Sequence, residues 1–75
     1  MPSTLQARFG RAIQRLRKSR GYSQESFADA VGVHRTYMGA VERGEKNISL
    51  ANIERIAVAL DLSVSQLFRE AEREP

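Results

Sequence analysis

The stretch Ser23–Gly44, SQESFADAVGVHRTYMGAVERG, decides the reading of this 75-residue chain. Ser23 is a good helix cap, and Gln24-Glu25-Ser26-Phe27-Ala28-Asp29-Ala30-Val31 runs on from it until Gly32 closes a helix of only two turns. A second short helix starts after Val33-His34 and runs from Arg35 to about Arg43, ending at Gly44. Glycine is needed at position 32 because the chain must adopt positive φ to reverse within so few residues. Phe27, Ala28, Val31, Val33, Met38 and Val41 supply the apolar contacts that would lock the two helices at a fixed angle, with Ala28 small enough for close approach. At about 100° per residue, Met38, Val41 and Glu42 fall on one side of the second helix and Thr36, Ala40 and Arg43 on the other, flanked by Tyr37 and Gly39. That outward face holds no acid, which is the expectation for a helix pressed against phosphates rather than facing water.

On either side the chain reads as further helices. Leu5, Phe9, Ile13 and Leu16 form a helical stripe that Ser3 or Thr4 can cap and Gly21 terminates. Ser49 caps a fourth helix with Leu50, Ile53, Ile56, Ala57 and Leu60 at helical spacing, and Asp61-Leu62 breaks it. Ser63 with Gln66 three residues later is a capping box that opens a fifth helix carrying Val64, Leu67 and Phe68. Residues 71–75 are polar and expected to fray. No segment alternates with period two, so the fold class is all-α: five helices in one domain spanning 1–75, with the two-helix unit at 24–43. Lys46-Asn47 is a hinge between the halves, too short to separate two domains.

Composition removes most function classes. With no cysteine and one histidine, His34, neither a disulfide framework nor a thiolate metal site is available, and no metal or cofactor is expected. No glycine-rich phosphate loop follows a strand, and Ser23 and Ser49 lack a base, so no enzyme is expected. Apolar runs are far below the roughly 20 residues that span a bilayer, and no export signal is visible, so the reading is a soluble cytoplasmic chain. The net charge of +3 is unevenly divided: residues 1–46 hold nine Lys or Arg against four acids, a net of +5, and residues 47–75 hold three against five, a net of −2. A sequence pI near 10.0 with its positive charge in one half is the footprint of a polyanion binder. The basic run Arg11, Arg15, Arg17, Lys18, Arg20 also has a plainer reading, as a solvated helix face.

Two short helices joined through a three-residue turn are the arithmetic of a helix-turn-helix. The sequence resembles the Xre/Cro-type helix-turn-helix family of bacterial and phage transcriptional regulators. The resemblance is carried by Ser23-Gln24-Glu25, Ala28, Gly32-Val33, Arg35-Thr36-Tyr37, Val41-Glu42-Arg43-Gly44, Ile48-Ser49-Leu50 and Ile56-Ala57-Ala59-Leu60, and covers about residues 8 to 68. The short length is similar to restriction–modification controller proteins and short phage repressors. The resemblance implies a five-helix, lambda-repressor-like domain that binds double-stranded DNA, with the third helix in the major groove. Arg35, Thr36 and Tyr37 match base-contacting positions, with Ala40 on the same outward face. Ser23, Gln24, Arg43, Lys46 and Asn47 match positions that hold phosphates. Arg17 and Glu42 match an internal ion pair. His34 departs from the pattern as a poorer cap than a hydroxyl or Asp. Gly39 costs about 1 kcal/mol of helix propensity, which allows close approach to DNA or marks a lost base contact.

Leu62, Val64, Leu67 and Phe68 exceed what so small a core needs, and they are read as the interface of a symmetric homodimer within residues 60–70. Two recognition helices about 34 Å apart would then read a pseudo-palindromic operator. Such a nucleoid-associated regulator represses by occluding RNA polymerase or activates by touching it, and no small-molecule effector is evident. The rival reading is a protein-interaction or antitoxin-like module that keeps the fold without reading DNA. Such a module has no reason to gather Arg35, Arg43 and Lys46 on one face.

Overall fold

The computed structural model describes residues 4–75. Five helices follow one another: α1 (Leu5–Ser19), α2 (Gln24–Val31), α3 (Arg35–Glu42), α4 (Leu50–Ala59) and α5 (Val64–Arg73), with no strand among the described residues. Each start is fixed by a side chain that accepts one of the otherwise unbonded first-turn amides. Thr4 takes the amide of Ala7, Ser23 that of Ser26, His34 that of Thr36, Ser49 that of Asn52 and Ser63 that of Gln66. The box at Ser63 is complete, because Gln66 returns a bond to the Ser63 amide at 2.8 Å. Ser3, the other cap considered for α1, lies outside the described residues. His34 is a working cap after all: its Nδ1 accepts the Thr36 amide at 3.1 Å.

The ends are equally local in origin. Gly32 has φ 87°, and its amide and that of Val33 both return to Ala28 O, the left-handed stop that the turn between α2 and α3 requires. Asp61 does the same after α4 at φ 57°, with Leu62 N–H bonding Ala57 O at 2.9 Å. Asp is among the few side chains that tolerate this conformation, so no glycine is needed there.

Apolar stripes from all five helices meet in one core, where Ile13, Phe27, Met38, Val41, Ile56, Leu60 and Leu67 are wholly buried. α1 is the central strut and packs against α2, α3 and α5, while α4 packs against α2 and α5. Its approach to α3 depends on Gly10, where a Cβ would lie 2.4 Å from Val41 O and 2.6 Å from Glu42 O. Any side chain there would push α3 away.

The C-terminal part differs from the sequence expectation in two ways. The helix α5 continues to Arg73, into the segment expected to fray, and Ala71 is fully buried. Glu70 of α5 and Glu74, the residue that caps its end, face Arg11 and Arg15, one turn apart on α1. Arg15 bonds Glu74 at 2.7 Å and Glu70 at 3.1 Å, and Arg11 bonds the Pro75 carbonyl. Leu67 is not an interface residue either. It has 0% exposure and belongs to the monomer core, because α5 lies along α1 and fills the space that a chain of this size seemed unable to provide. Phe68 is half-buried, its ring centroid 5.5 Å from that of Phe9. Leu62 is half-buried against the core, whereas Val64 at 38% and Val58 at 73% stay exposed.

Candidate nucleic-acid interface

The surface of α3 is narrower than the helical wheel suggests. Arg35 and Thr36 in its first turn are exposed and Tyr37 is half-buried, but Met38, Gly39, Ala40, Val41 and Glu42 are all buried. Ala40, at 7% exposure, is therefore removed from the set of base-contacting candidates. A wheel treats the helix as having one packed side, whereas α3 is packed by both α1 and α2. Tyr37 is also restrained, since its hydroxyl accepts from Asn52 Nδ2 of α4 at 3.2 Å. Its ring rests against the core and only part of it faces outward.

Beneath this surface lies a charged truss. Arg17 of α1 grips Glu42 at the end of α3 with two bonds, Nε to Oε2 at 2.6 Å and Nη2 to Oε1 at 3.0 Å. The two residues are only 6% and 8% exposed. A third Arg17 bond, from Nη1 to Tyr22 O at 3.2 Å, ties the turn before α2. Gln24, the first residue of α2, donates from Nε2 to Glu42 Oε1 at 3.2 Å. One buried carboxylate thus fixes α1, α2 and α3 relative to one another. No buried side-chain polar atom among the described residues is left without a partner.

Gly39 acquires a role that neither sequence reading assigned it. A Cβ at this position would lie 3.2 Å from Arg43 Nη1 and 3.3 Å from Gln24 Oε1. The missing side chain is the space into which the Gln24 amide and the Arg43 guanidinium fit. Two phosphate-holding candidates, 19 positions apart in the numbering of the chain, converge over one glycine. Lys46 and Asn47 follow on the exposed loop after Gly44, and Ser23 is exposed with its hydroxyl engaged as the α2 cap.

Two neighbours of the site, Glu25 and Glu45, carry no site role from the sequence. Glu25 Oε2 accepts from Arg35 Nη1 at 3.3 Å, and the Glu45 carboxylate accepts from Arg43 at 3.0 and 3.3 Å. The hydrogen bond to Arg43, with its charge, holds the Glu45 carboxyl below the usual range, and the same bond raises Arg43 above its ordinary value. The Arg43–Glu45 pair lies two residues apart in a loop, where no helical periodicity announces it. The Arg35–Glu25 pair spans the turn between α2 and α3.

Part of the basic run on α1 is structural. Arg11 and Arg15 hold α5, Arg17 is buried, and Arg20 donates from Nε to Leu60 O at 2.9 Å, closing the end of α4. Arg17 is thereby taken off the solvated face, whereas Arg11, Arg15 and Arg20 keep part of their surface in water while bonding other parts of the fold.

A helix-turn-helix family profile matches residues 13–67. The chain belongs to that family. It is 41% identical to the control protein C.MunI of a Mycoplasma species over 71 residues, covering 93% of this chain and 96% of that protein. In structure it is similar to the restriction–modification controller protein C.AhdI of Aeromonas hydrophila, with a TM-score of 0.78 and 44% identity over 81% of this chain and 92% of that one. It is also similar to the biofilm regulator SinR, solved in complex with DNA, with a TM-score of 0.74 and 35% identity over 79% of this chain and 95% of that one. Among the described residues no helix is long and apolar enough to cross a membrane.

Proposed function

We propose that this helix-turn-helix chain is a sequence-specific, double-stranded-DNA-binding transcriptional regulator of the controller type, acting as a dimer on a pseudo-palindromic operator. The observation that carries the reading is the convergence of Gln24 and Arg43 over Gly39, beside the exposed Arg35 and Thr36 of the first turn of α3. Phosphate holders flanking a short, protruding helix start suit a duplex, where backbone contacts set register and a few side chains read base edges. Arg35 would fork onto a guanine, Thr36 would meet an acceptor or a thymine methyl, and the ring of Tyr37 would pack on a methyl. Ser23, Gln24, Arg43, Lys46 and Asn47 would hold the flanking phosphates, helped by the positive N-terminus of α2. The name of the Mycoplasma control protein and the DNA bound to SinR support this reading over an interaction module.

The proposed dimer surface is smaller than the apolar set Leu62, Val64, Leu67 and Phe68. With Leu67 in the core, the exposed apolar residues near the α4–α5 corner are Val58 and Val64, with half-buried Leu62 between them and Phe68 further along α5. A symmetric contact through this corner would have to set two copies of α3 about 34 Å apart, one helical turn of DNA, for both to read one face of the duplex. The regulator would work in the cytoplasm on the nucleoid, occluding or touching RNA polymerase. No enzymatic step or cofactor enters the reading.

The test is selection of bound sequences from a randomised duplex library at physiological salt. Enrichment of two inverted half-sites about one helical turn apart is the expected result. Retention without any enriched motif would overturn sequence reading, and a single half-site would overturn the dimer.

A further inference from the structure

The two arginines on the exposed side of α3 are each already held by a carboxylate. Arg43 meets Glu45 with two bonds, Nε to Oε2 at 3.0 Å and Nη2 to Oε1 at 3.3 Å, and Arg35 meets Glu25 with one bond at 3.3 Å. All four side chains are more than half exposed, from 57% for Glu45 to 68% for Glu25. A forked carboxylate offers a guanidinium the same paired acceptors that a phosphate or a guanine edge offers. The third acid near this site, Glu42, is saturated by Arg17 and Gln24 and is buried, so it cannot play this part. We propose that Glu45 and Glu25 are built-in competitors for Arg43 and Arg35, holding duplex affinity below what the arginines alone would give. This proposal rests on the DNA-binding reading above.

The two competitors act on different steps. Arg43 sits with the phosphate holders, which every duplex satisfies, so releasing it gains equally on any sequence. Arg35 opens α3, where a fork onto a base edge outweighs a phosphate contact, so releasing it gains more on the preferred sequence. Exposed pairs of this kind are weak, and freeing either arginine corresponds to about a two- to fivefold change in binding. Because a carboxylate left behind in the complex takes back a cation, its removal also steepens the salt dependence by up to about one released ion.

The experiment compares the full chain with Glu45→Gln, Glu25→Gln and Glu72→Gln. The last removes an exposed acid on α5 and so controls for net charge. Affinities are measured for a random-sequence duplex and for the library-selected duplex over a salt series, together with the salt needed for elution from heparin. Glu45→Gln is expected to tighten both duplexes by the same two- to fivefold factor beyond Glu72→Gln, and Glu25→Gln to tighten the selected duplex more. Equality of Glu45→Gln and Glu25→Gln with Glu72→Gln, on duplex and heparin alike, would overturn the proposal. If no sequence can be selected, the DNA-reading hypothesis falls while heparin still decides this one. Later elution of Glu45→Gln than of Glu72→Gln supports competition for Arg43, and equal elution removes it.

Discussion

On α1 and at its C-terminal cap, Arg11, Arg15, Arg17 and Arg20 are tied into the fold: to the end of the chain after α5, to a buried carboxylate and to the carbonyl of Leu60, which caps α4. On α3 and the loop after it, Arg35 and Arg43 keep 66% and 60% of their side-chain surface in water, and their ion-pair partners are exposed glutamates. All six count alike toward the basic N-terminal half, yet they differ in what holds them: the first four bond groups on other parts of the fold, and among them Arg17 alone is buried. The general lesson is that charge density locates a half of the molecule, whereas the burial of each partner says which arginines are free to exchange it. A guanidinium bonded to a buried carboxylate cannot leave without stranding that charge. One bonded to an exposed carboxylate exchanges partners at little cost.

The largest way to break this comparison is at the truss. Glu42→Ala would leave Arg17 buried and uncompensated and free the Gln24 amide, at an expected cost of about 3–5 kcal/mol. That is a large part of the roughly 5–15 kcal/mol that a small domain possesses. Urea unfolding followed by circular dichroism measures it, and a loss below about 1 kcal/mol would show that the pair does not hold the three helices. Replacing both partners with apolar residues of similar volume, Arg17→Met with Glu42→Leu, is expected to recover most of the stability, since it is the unpaired charge that is costly.

Next in size is the exposed member. Arg35→Ala should leave unfolding unchanged and weaken the selected duplex by about 1–3 kcal/mol, with a much smaller loss on random DNA. Anisotropy titrations with the two duplexes separate the cases. Equal losses on both would make Arg35 a phosphate holder, the role proposed for Arg43.

Much of this arrangement was legible in the sequence, for reasons that are local. The caps at Thr4, Ser23, Ser49 and Ser63, the stops at Gly21, Gly32 and Gly44, and the apolar stripes all act within one or two turns, and the five helices follow from them. The Arg17–Glu42 pair joins residues 25 apart, and periodicity could not have paired them; only the family resemblance did. What was misread required knowing neighbours in space. Ala40 looked outward because a wheel assumes one packed side. Leu67 looked surplus because counting apolar residues ignores how far α5 lies along α1. The segment 71–75 looked solvated because Glu70 and Glu74 read as surface acids until Arg11 and Arg15 stand opposite them. Gly10 and Gly39 carry no side chain to interpret, and their role appears only when the atoms a Cβ would strike are known.

A smaller effect sharpens the structural half of the comparison. Arg15 is 47% exposed, yet it bonds both Glu70 and Glu74. Arg15→Ala is expected to cost no more than about 1 kcal/mol, because partly exposed pairs are screened by water and salt. Binding to either duplex should not change. A variant that lost DNA affinity while keeping its stability would move Arg15 from the α1–α5 clamp to the interface.

The smallest effect concerns protons. Glu45 lies below the ordinary glutamate value of 4.5 in the folded chain because Arg43 bonds its charged form. A group whose folded value is depressed adds stability above its unfolded value and loses it as pH falls through the folded value. The Arg43–Glu45 pair therefore contributes a constant amount above about pH 5 and disappears only in acid. Carbon-detected NMR titration of the Glu45 carboxyl should give a midpoint below 4.5 that rises toward it in Arg43→Ala. Adding a duplex gives the decisive comparison: if DNA takes Arg43 from Glu45, the midpoint of the wild-type chain in the complex should move up in the same direction. A midpoint unmoved by Arg43→Ala would mean that the two side chains do not pair in solution, and Arg43 would then meet phosphate without a competitor.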